Sequence, residues 1–208
     1  IFSSILLHNS IMKIETPFYV PFMSTDCEFF PEVKDDLIQI IMEKHEEKPF
    51  ELQGNFPKGK NLKRDLTESD GNFFATENKC ISKIRDWITQ ELVEGYKSLN
   101  MKPNKIFYKS SWFHVTKKGG FHNFHIHPNT PLAGIFYVKD GNSDVGNNWI
   151  NPVSGYIDKF SSSWCNTTFT SKFTPGRLIL FPGWVLHSAP PHDGDELRIV
   201  IAFNSIIE

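Results

Sequence analysis

The sequence predicts a mainly β domain: an antiparallel sandwich or barrel of about seven or eight strands with two helices packed on one side. Three observations lead there. After Pro103 the chain breaks into short β-branched or aromatic runs separated by Gly, Pro, Asn or Asp. Before it, two segments carry apolar residues at helical spacing. Aromatic residues make up 14% of the 208 residues, with 19 Phe among them, which favours strands and a large apolar interior.

The elements follow in order. Residues 13–30 read as extended, because Pro17 and Pro21 break any helix. A helix is expected from Glu32 to Lys48, with Leu37, Ile38, Ile41 and His45 on one side and Pro31 in its first turn. Residues 49–75, rich in Gly, Lys and Asp, read as a long loop. A second helix is expected from Glu77 to Leu99, where Ile81, Ile84, Ile88, Leu92, Tyr96 and Leu99 form one stripe and Asn100 stops it. Strands are expected over 105–117, 121–127, 132–139, 167–173, 177–182 and 196–204, with Gly119-Gly120 as a hairpin turn and 140–164 as a polar loop holding one weak strand near Trp149.

Net charge is -2, so nothing points to electrostatic binding of nucleic acid or an anionic membrane. No apolar run approaches the roughly 18 residues of a membrane span. Ile1 to Leu7 has no basic residue before it and makes a poor signal peptide. Cys27, Cys80 and Cys165 are odd in number and widely spaced, which argues against a disulfide framework and for a reducing, cytoplasmic setting.

The chemistry gathers in the β half. Six of the eight histidines follow residue 110: His114, His122, His125, His127, His187 and His192. In a strand, His125 and His127 point to the same face, so both imidazoles can reach one metal ion. His187, after an apolar strand and a Pro182-Gly183 turn, offers a third ligand from a distant stretch. Three protein ligands leave positions open, as a catalytic site requires. Arg198 stands inside an apolar strand, where a guanidinium needs an anion. Asn204, six residues on, shares its face.

These residues resemble the Fe(II)/2-oxoglutarate-dependent oxygenases, and within them the subfamily patterned Trp-x-Asn, His-x-His-Pro, Ser-Gly-x-Tyr-Tyr, Phe-Pro-x-Trp-x-x-His and Arg-Ile-x-Ile-x-Phe-Asn. The chain reads Trp112-Phe113-His114, His125-Ile126-His127-Pro128, Ala133-Gly134-Ile135-Phe136-Tyr137, Phe181-Pro182-Gly183-Trp184-Val185-Leu186-His187 and Arg198-Ile199-Val200-Ile201-Ala202-Phe203-Asn204. The resemblance implies a double-stranded β-helix (a cupin-like jelly-roll) with two N-terminal helices on one sheet, in a single oxygenase domain over 1–208. Residues 1–11 then form an extension, 12–104 the N-terminal strands and helices, and 105–206 the jelly-roll core. It implies Fe(II) held by His125, His127 and His187, O2 as oxidant, and 2-oxoglutarate as cosubstrate with its distal carboxylate on Arg198. By spacing shared with the alkylated-base repair oxygenases, His114 and Asn204 face the cosubstrate. The implied reaction hydroxylates a substrate and releases succinate and CO2.

The chain departs from the wider superfamily at His127, where an Asp or Glu is usual, and at His114, where an Asn is. Three neutral imidazoles leave the metal its full charge. Two other readings therefore stand beside the first: a three-histidine cupin-type dioxygenase or isomerase without 2-oxoglutarate, and a non-catalytic jelly-roll binding module. Arg198 with Asn204 favours the first. The substrate, a small molecule or a peptide, is not legible; neither nucleic acid nor membrane is expected as partner, and a homodimer stays open. Bland roles are assigned elsewhere: His122 and His192 to a solvated rim, Trp112 and Trp184 to the core, and Lys58–Arg64 and Lys117-Lys118 to solvated loops.

Overall fold

A computed structural model describes residues 19–46, 63–152 and 166–208. Expectations for 13–18, 47–62 and 153–165, Cys165 included, lie outside the described residues. In chain order the elements are β1 (Met23–Asp26), α1 (Phe30–Glu46), β2 (Lys63–Glu68), a 3-10 turn at Phe73–Ala75, α2 (Lys79–Ser98), β3 (Ile106–His125), β4 (Leu132–Lys139), β5 (Val145–Ile150), β6 (Thr168–Lys172), β7 (Arg177–Phe181), β8 (His187–Ala189) and β9 (Arg198–Ile207). The strands form one antiparallel sheet in the order β1-β7-β4-β9-β3-β8-β5-β6, with β2 also on β3.

The sheet curls because β3 serves both walls. Its first part, Ile106 to Thr116, pairs with β9. Its last part pairs with β8 through His122 and His125. One wall is therefore β1-β7-β4-β9 with the start of β3, and the other is the end of β3 with β8, β5 and β6. The expected hairpin at Gly119-Gly120 is instead a corner within β3. The physical reason is β2, which bonds on both sides of it: Leu66 pairs with Thr116, while Lys63 pairs with His122. The register shifts at Asp65, whose φ of 50° makes the bulge. A Cβ on Gly120 would lie 2.4 Å from the Asp65 carbonyl oxygen, so the corner needs glycine there.

The larger wall is covered on both faces, which is why its strands read as unbroken apolar runs. Along β9, Ile199, Ile201 and Phe203 face one way, with Phe136 and Val138 of β4 and Leu178 and Leu180 of β7, against the helices. The intervening residues of β4 and β7, Ala133, Ile135, Tyr137, Ile179 and Phe181, meet Trp149 and Phe173 inside the curl. Both helices lie on the first face, as the sequence predicts. The α2 stripe from Ile81 to Tyr96 is buried, and the Tyr96 hydroxyl is 2.8 Å from Ser205 Oγ, which donates to the Leu132 carbonyl.

Helix bounds shift slightly from expectation. Asn78 caps α2 by accepting from the Cys80 and Ile81 amides, so the helix begins two residues after Glu77. Asn100 adopts φ 58° just past the end. The loop expected over 49–75 is corrected within its described part, which holds β2 and the 3-10 turn. The charged run hides a strand that pairs through its backbone.

Candidate metal centre and its cavity

Inside the curl lies a small cavity of about 30 Å³, partly open to solvent and lined from both walls. His125 and His127 sit at the end of β3, and β8 begins at His187, directly opposite His125 in the ladder. The side-chain nitrogens of these three histidines lie within 4.8 Å of one another. His127 Nε2 is 3.2 Å from His187 Nε2.

The backbone sets two of the tautomers. His125 Nδ1 lies 2.8 Å from the Asn123 carbonyl and His187 Nδ1 lies 2.9 Å from the Val185 carbonyl. Each carbonyl can only accept, so each Nδ1 carries the proton and each Nε2 offers a lone pair. Burial lowers all three pKa values, to about 4 for His127 and about 3 for His187, with the neighbouring imidazoles adding to the shift. The trio is thus held neutral, the form that binds a metal. These donors fit a divalent transition metal such as Fe(II).

Arg198 lines the same cavity and is buried. Among the described residues its guanidinium has no hydrogen-bond or ion-pair partner. Burial pulls its pKa down to about 10. The carboxylates just before it in sequence are taken: Glu196 pairs with Lys139 at 2.8 Å, and Asp195 accepts from Asn142. A buried cation without an anion is costly, so this one is poised for a ligand.

The two residues expected to face the cosubstrate also contact protein groups. Asn204 shares the face of Arg198, Val200 and Ala202 but lies beyond the lining; its amide donates to Ser110 Oγ at 3.0 Å. His114 lines the cavity, yet its Nε2 is 2.6 Å from Glu68 Oε2. Burial pushes the Glu68 carboxyl up, but His114 and Lys63 outweigh it and bring it down to about 2. An ionised carboxylate at that distance needs a donor, so His114 Nε2 carries a proton. It therefore cannot also accept from the Trp112 indole N–H 3.0 Å away, and it does not compete as a metal ligand.

His122 and His192 are also buried rather than solvated. A register shift between His122 and His125 turns His122 inward, where its ring stacks on His125 at 3.9 Å between centroids. His192 Nε2 is 2.8 Å from the Glu196 carbonyl. Trp184 is 54% exposed rather than in the core, and Trp112 is a half-buried wall of the cavity. Glu68 was hidden in the charged run; the alternation of Leu66 and Glu68 is the faint signal for it.

Residues 110–204 match the family model described as "Putative 2OG-Fe(II) oxygenase". Over this segment, just under half of the chain, the sequence is similar to the 2OG-Fe(II) oxygenases. That family is named for its use of 2-oxoglutarate and Fe(II), and the three convergent histidines of this chain suit such a metal. Solved structures share the fold of this chain at low identity. A prolyl-4-hydroxylase from Pseudomonas putida is 12% identical, with a TM-score of 0.57 over 88% of this chain and 91% of that one. The viral collagen prolyl hydroxylase of Paramecium Bursaria Chlorella virus-1, solved with 2-oxoglutarate, is 16% identical, with a TM-score of 0.57 over 89% and 96%. HygX from Streptomyces hygroscopicus, solved with nickel and 2-oxoglutarate, is 10% identical, with a TM-score of 0.57 over 89% and 82%. No curated protein sequence matches the chain. No helix among the described residues is long and apolar enough to cross a membrane.

Proposed function

We propose that this oxygenase hydroxylates its substrate at a centre in which His125, His127 and His187 hold Fe(II) and Arg198 holds the distal carboxylate of 2-oxoglutarate. The observation that carries this reading is the buried guanidinium of Arg198, without an ion-pair partner among the described residues, in one cavity with three convergent neutral imidazoles. A dicarboxylic acid joins these features: one end chelates the metal and the other neutralises the arginine. The metal and cosubstrate, once bound, supply the oxidising chemistry that consumes O2 and yields succinate and CO2.

The chain supplies position and water exclusion. The Asn123 and Val185 carbonyls hold His125 and His187 with Nε2 toward the shared point. Val200, Ala202, Ile135 and Phe181 give the cavity apolar walls, which strengthen the Arg198 charge toward a carboxylate. HygX, of the same fold, was solved with a metal and 2-oxoglutarate together, which supports a common use of the cavity. A cytoplasmic location belongs to the same proposal and is supported by the free thiols of Cys27 and Cys80.

The test is anaerobic titration of the Fe(II)-loaded protein with 2-oxoglutarate, followed by the visible charge-transfer band of chelation. A band in the wild type that Arg198→Ala weakens supports the reading. Tight iron with no band overturns it in favour of oxygen chemistry without 2-oxoglutarate.

A further inference from the structure

We infer that His122 is a binding residue of the site, donating an N–H to the metal-side carboxylate of 2-oxoglutarate. The inference rests on the proposed centre and adds a polar contact at its metal end.

The argument begins with which polar groups of the cavity are committed. His114 is bound to Glu68. Asn147 receives the Tyr137 hydroxyl on Oδ1 and donates through Nδ2 to the Ser188 carbonyl. The His125 and His187 Nδ1 atoms hold backbone carbonyls. His122 differs. It is 9% exposed and lines the cavity, yet among the described residues its ring takes part in no hydrogen bond. An imidazole carries at least one N–H in either protonation state, so a donor is always present. The His122 nitrogens are not sealed off among the fully buried unpartnered atoms, so the N–H opens onto the cavity, where a bound ligand can accept it.

Position decides which end of the ligand. His122 stacks on His125 with ring centroids 3.9 Å apart and planes 14° apart. It therefore stands beside the metal, whereas Arg198 sits across the corner, opposite Thr116 in the β3–β9 ladder. The same irregularity in β3 makes both arrangements. The register shift between His122 and His125 brings rings three residues apart to one face, and Asn123 within it supplies the carbonyl that orients His125. Flat stacking also holds the His122 ring in place without using its nitrogens.

Two variants separate the nitrogen from the ring: His122→Phe keeps a flat ring and removes the donor, and His122→Asn keeps a donor and removes the ring. Fe(II) affinity is measured first in each, then 2-oxoglutarate affinity under anaerobic conditions by the charge-transfer band. We expect His122→Phe to hold Fe(II) within about twofold of wild type and to weaken 2-oxoglutarate about tenfold, as loss of one charge-assisted hydrogen bond predicts. His122→Asn should bind 2-oxoglutarate more tightly than His122→Phe at equal iron loading. If His122→Asn fails to fold, His122→Phe against wild type still decides; if His122→Phe fails, His122→Leu supplies the donor-free comparison. A wild-type band with unchanged 2-oxoglutarate affinity in His122→Phe overturns the inference alone, as does an equal loss of iron and 2-oxoglutarate, which would make His122 only a support for His125. Absence of any band in the iron-loaded wild type overturns the underlying centre instead.

Discussion

His125 and His187 face each other across the β3–β8 ladder with ring centroids 4.2 Å apart, and each gives its Nδ1 proton to a carbonyl two residues before it. The pairing is short: β8 has three residues and begins at His187. A three-residue strand is weak by itself, so its register depends on neighbours on both sides. Trp149 of β5 pairs with His187 from the other side and is fully buried. The large apolar payload of Trp149 thus fixes a ligand it does not touch through the metal.

Removing either imidazole should therefore abolish tight metal binding without unfolding the sheet. For His125→Ala and His187→Ala we expect Fe(II) or Co(II) affinity to fall by at least about 100-fold, since even outer partners of metal ligands cost 10–100-fold. The metal-free melting temperature should stay near wild type. Isothermal titration and thermal melts on the same samples check both; metal affinity unchanged in His187→Ala would remove it from the ligand set.

Arg198 carries the opposite prediction for stability. Its buried charge has no protein anion among the described residues, so it is a cost to the ligand-free fold. Arg198→Leu should leave the ligand-free protein as stable as wild type or more so. In the nickel-loaded wild type, 2-oxoglutarate at a hundredfold excess over its Kd should add about 2.7 kcal/mol, a rise of roughly 5–10 °C. The variant should show none of this rise. A full ligand-induced shift in Arg198→Leu would mean another group holds the far carboxylate.

What was legible in the sequence was whatever local periodicity encodes. The α2 stripe from Ile81 to Tyr96 follows the helical period, and His125-Ile126-His127 and Arg198 follow the strand period, so their faces could be assigned. Misreadings arose where the period breaks. His122 reads as a solvated rim residue because a register shift is invisible in residue order. The Gly119-Gly120 pair has the composition of a hairpin, and only the pairing of β2 across both sides shows a corner. His114 and Asn204 have the right spacing for the cosubstrate, but Glu68 and Ser110, 46 and 94 residues away in sequence, occupy them. Such partners are set by topology, which a linear reading does not contain.

The Glu68–His114 contact predicts an acid limb in stability. The Glu68 carboxyl is lowered from 4.5 to about 2 in the fold. The unfolded chain therefore binds the extra proton first as pH falls, and the contribution is full above about pH 4.5 and lost toward pH 2. Because 35% of the Glu68 side chain is exposed, screening reduces the effect to about 1 kcal/mol. Glu68→Gln should lower urea stability by about that amount at pH 7 and converge with wild type only below about pH 2. Parallel curves across that range would show that the pair contributes nothing by charge.

The corner in β3 gives the sharpest test of how the cavity is built, because its two glycines should respond differently. A Cβ on Gly120 would meet the Asp65 carbonyl oxygen at 2.4 Å and the Lys117 carbonyl oxygen at 2.8 Å, backbone atoms that cannot swing aside. Gly120→Ala must push β2 away from the corner, at about 1–3 kcal/mol for overpacking. Gly119 has φ +78° but open space around its Cβ position, so Gly119→Ala incurs only the left-handed strain, about 1–2 kcal/mol. The effects on ligand binding should diverge further. Displacing the β2 bulge moves Thr116, the ladder partner of Arg198, and with it the arginine's distance from the histidines. We expect Gly120→Ala to weaken 2-oxoglutarate binding while Gly119→Ala, at comparable residual stability, does not. Equal losses in the two variants would mean that the curl is held elsewhere, and that β2 merely covers the corner rather than setting the span between metal and arginine.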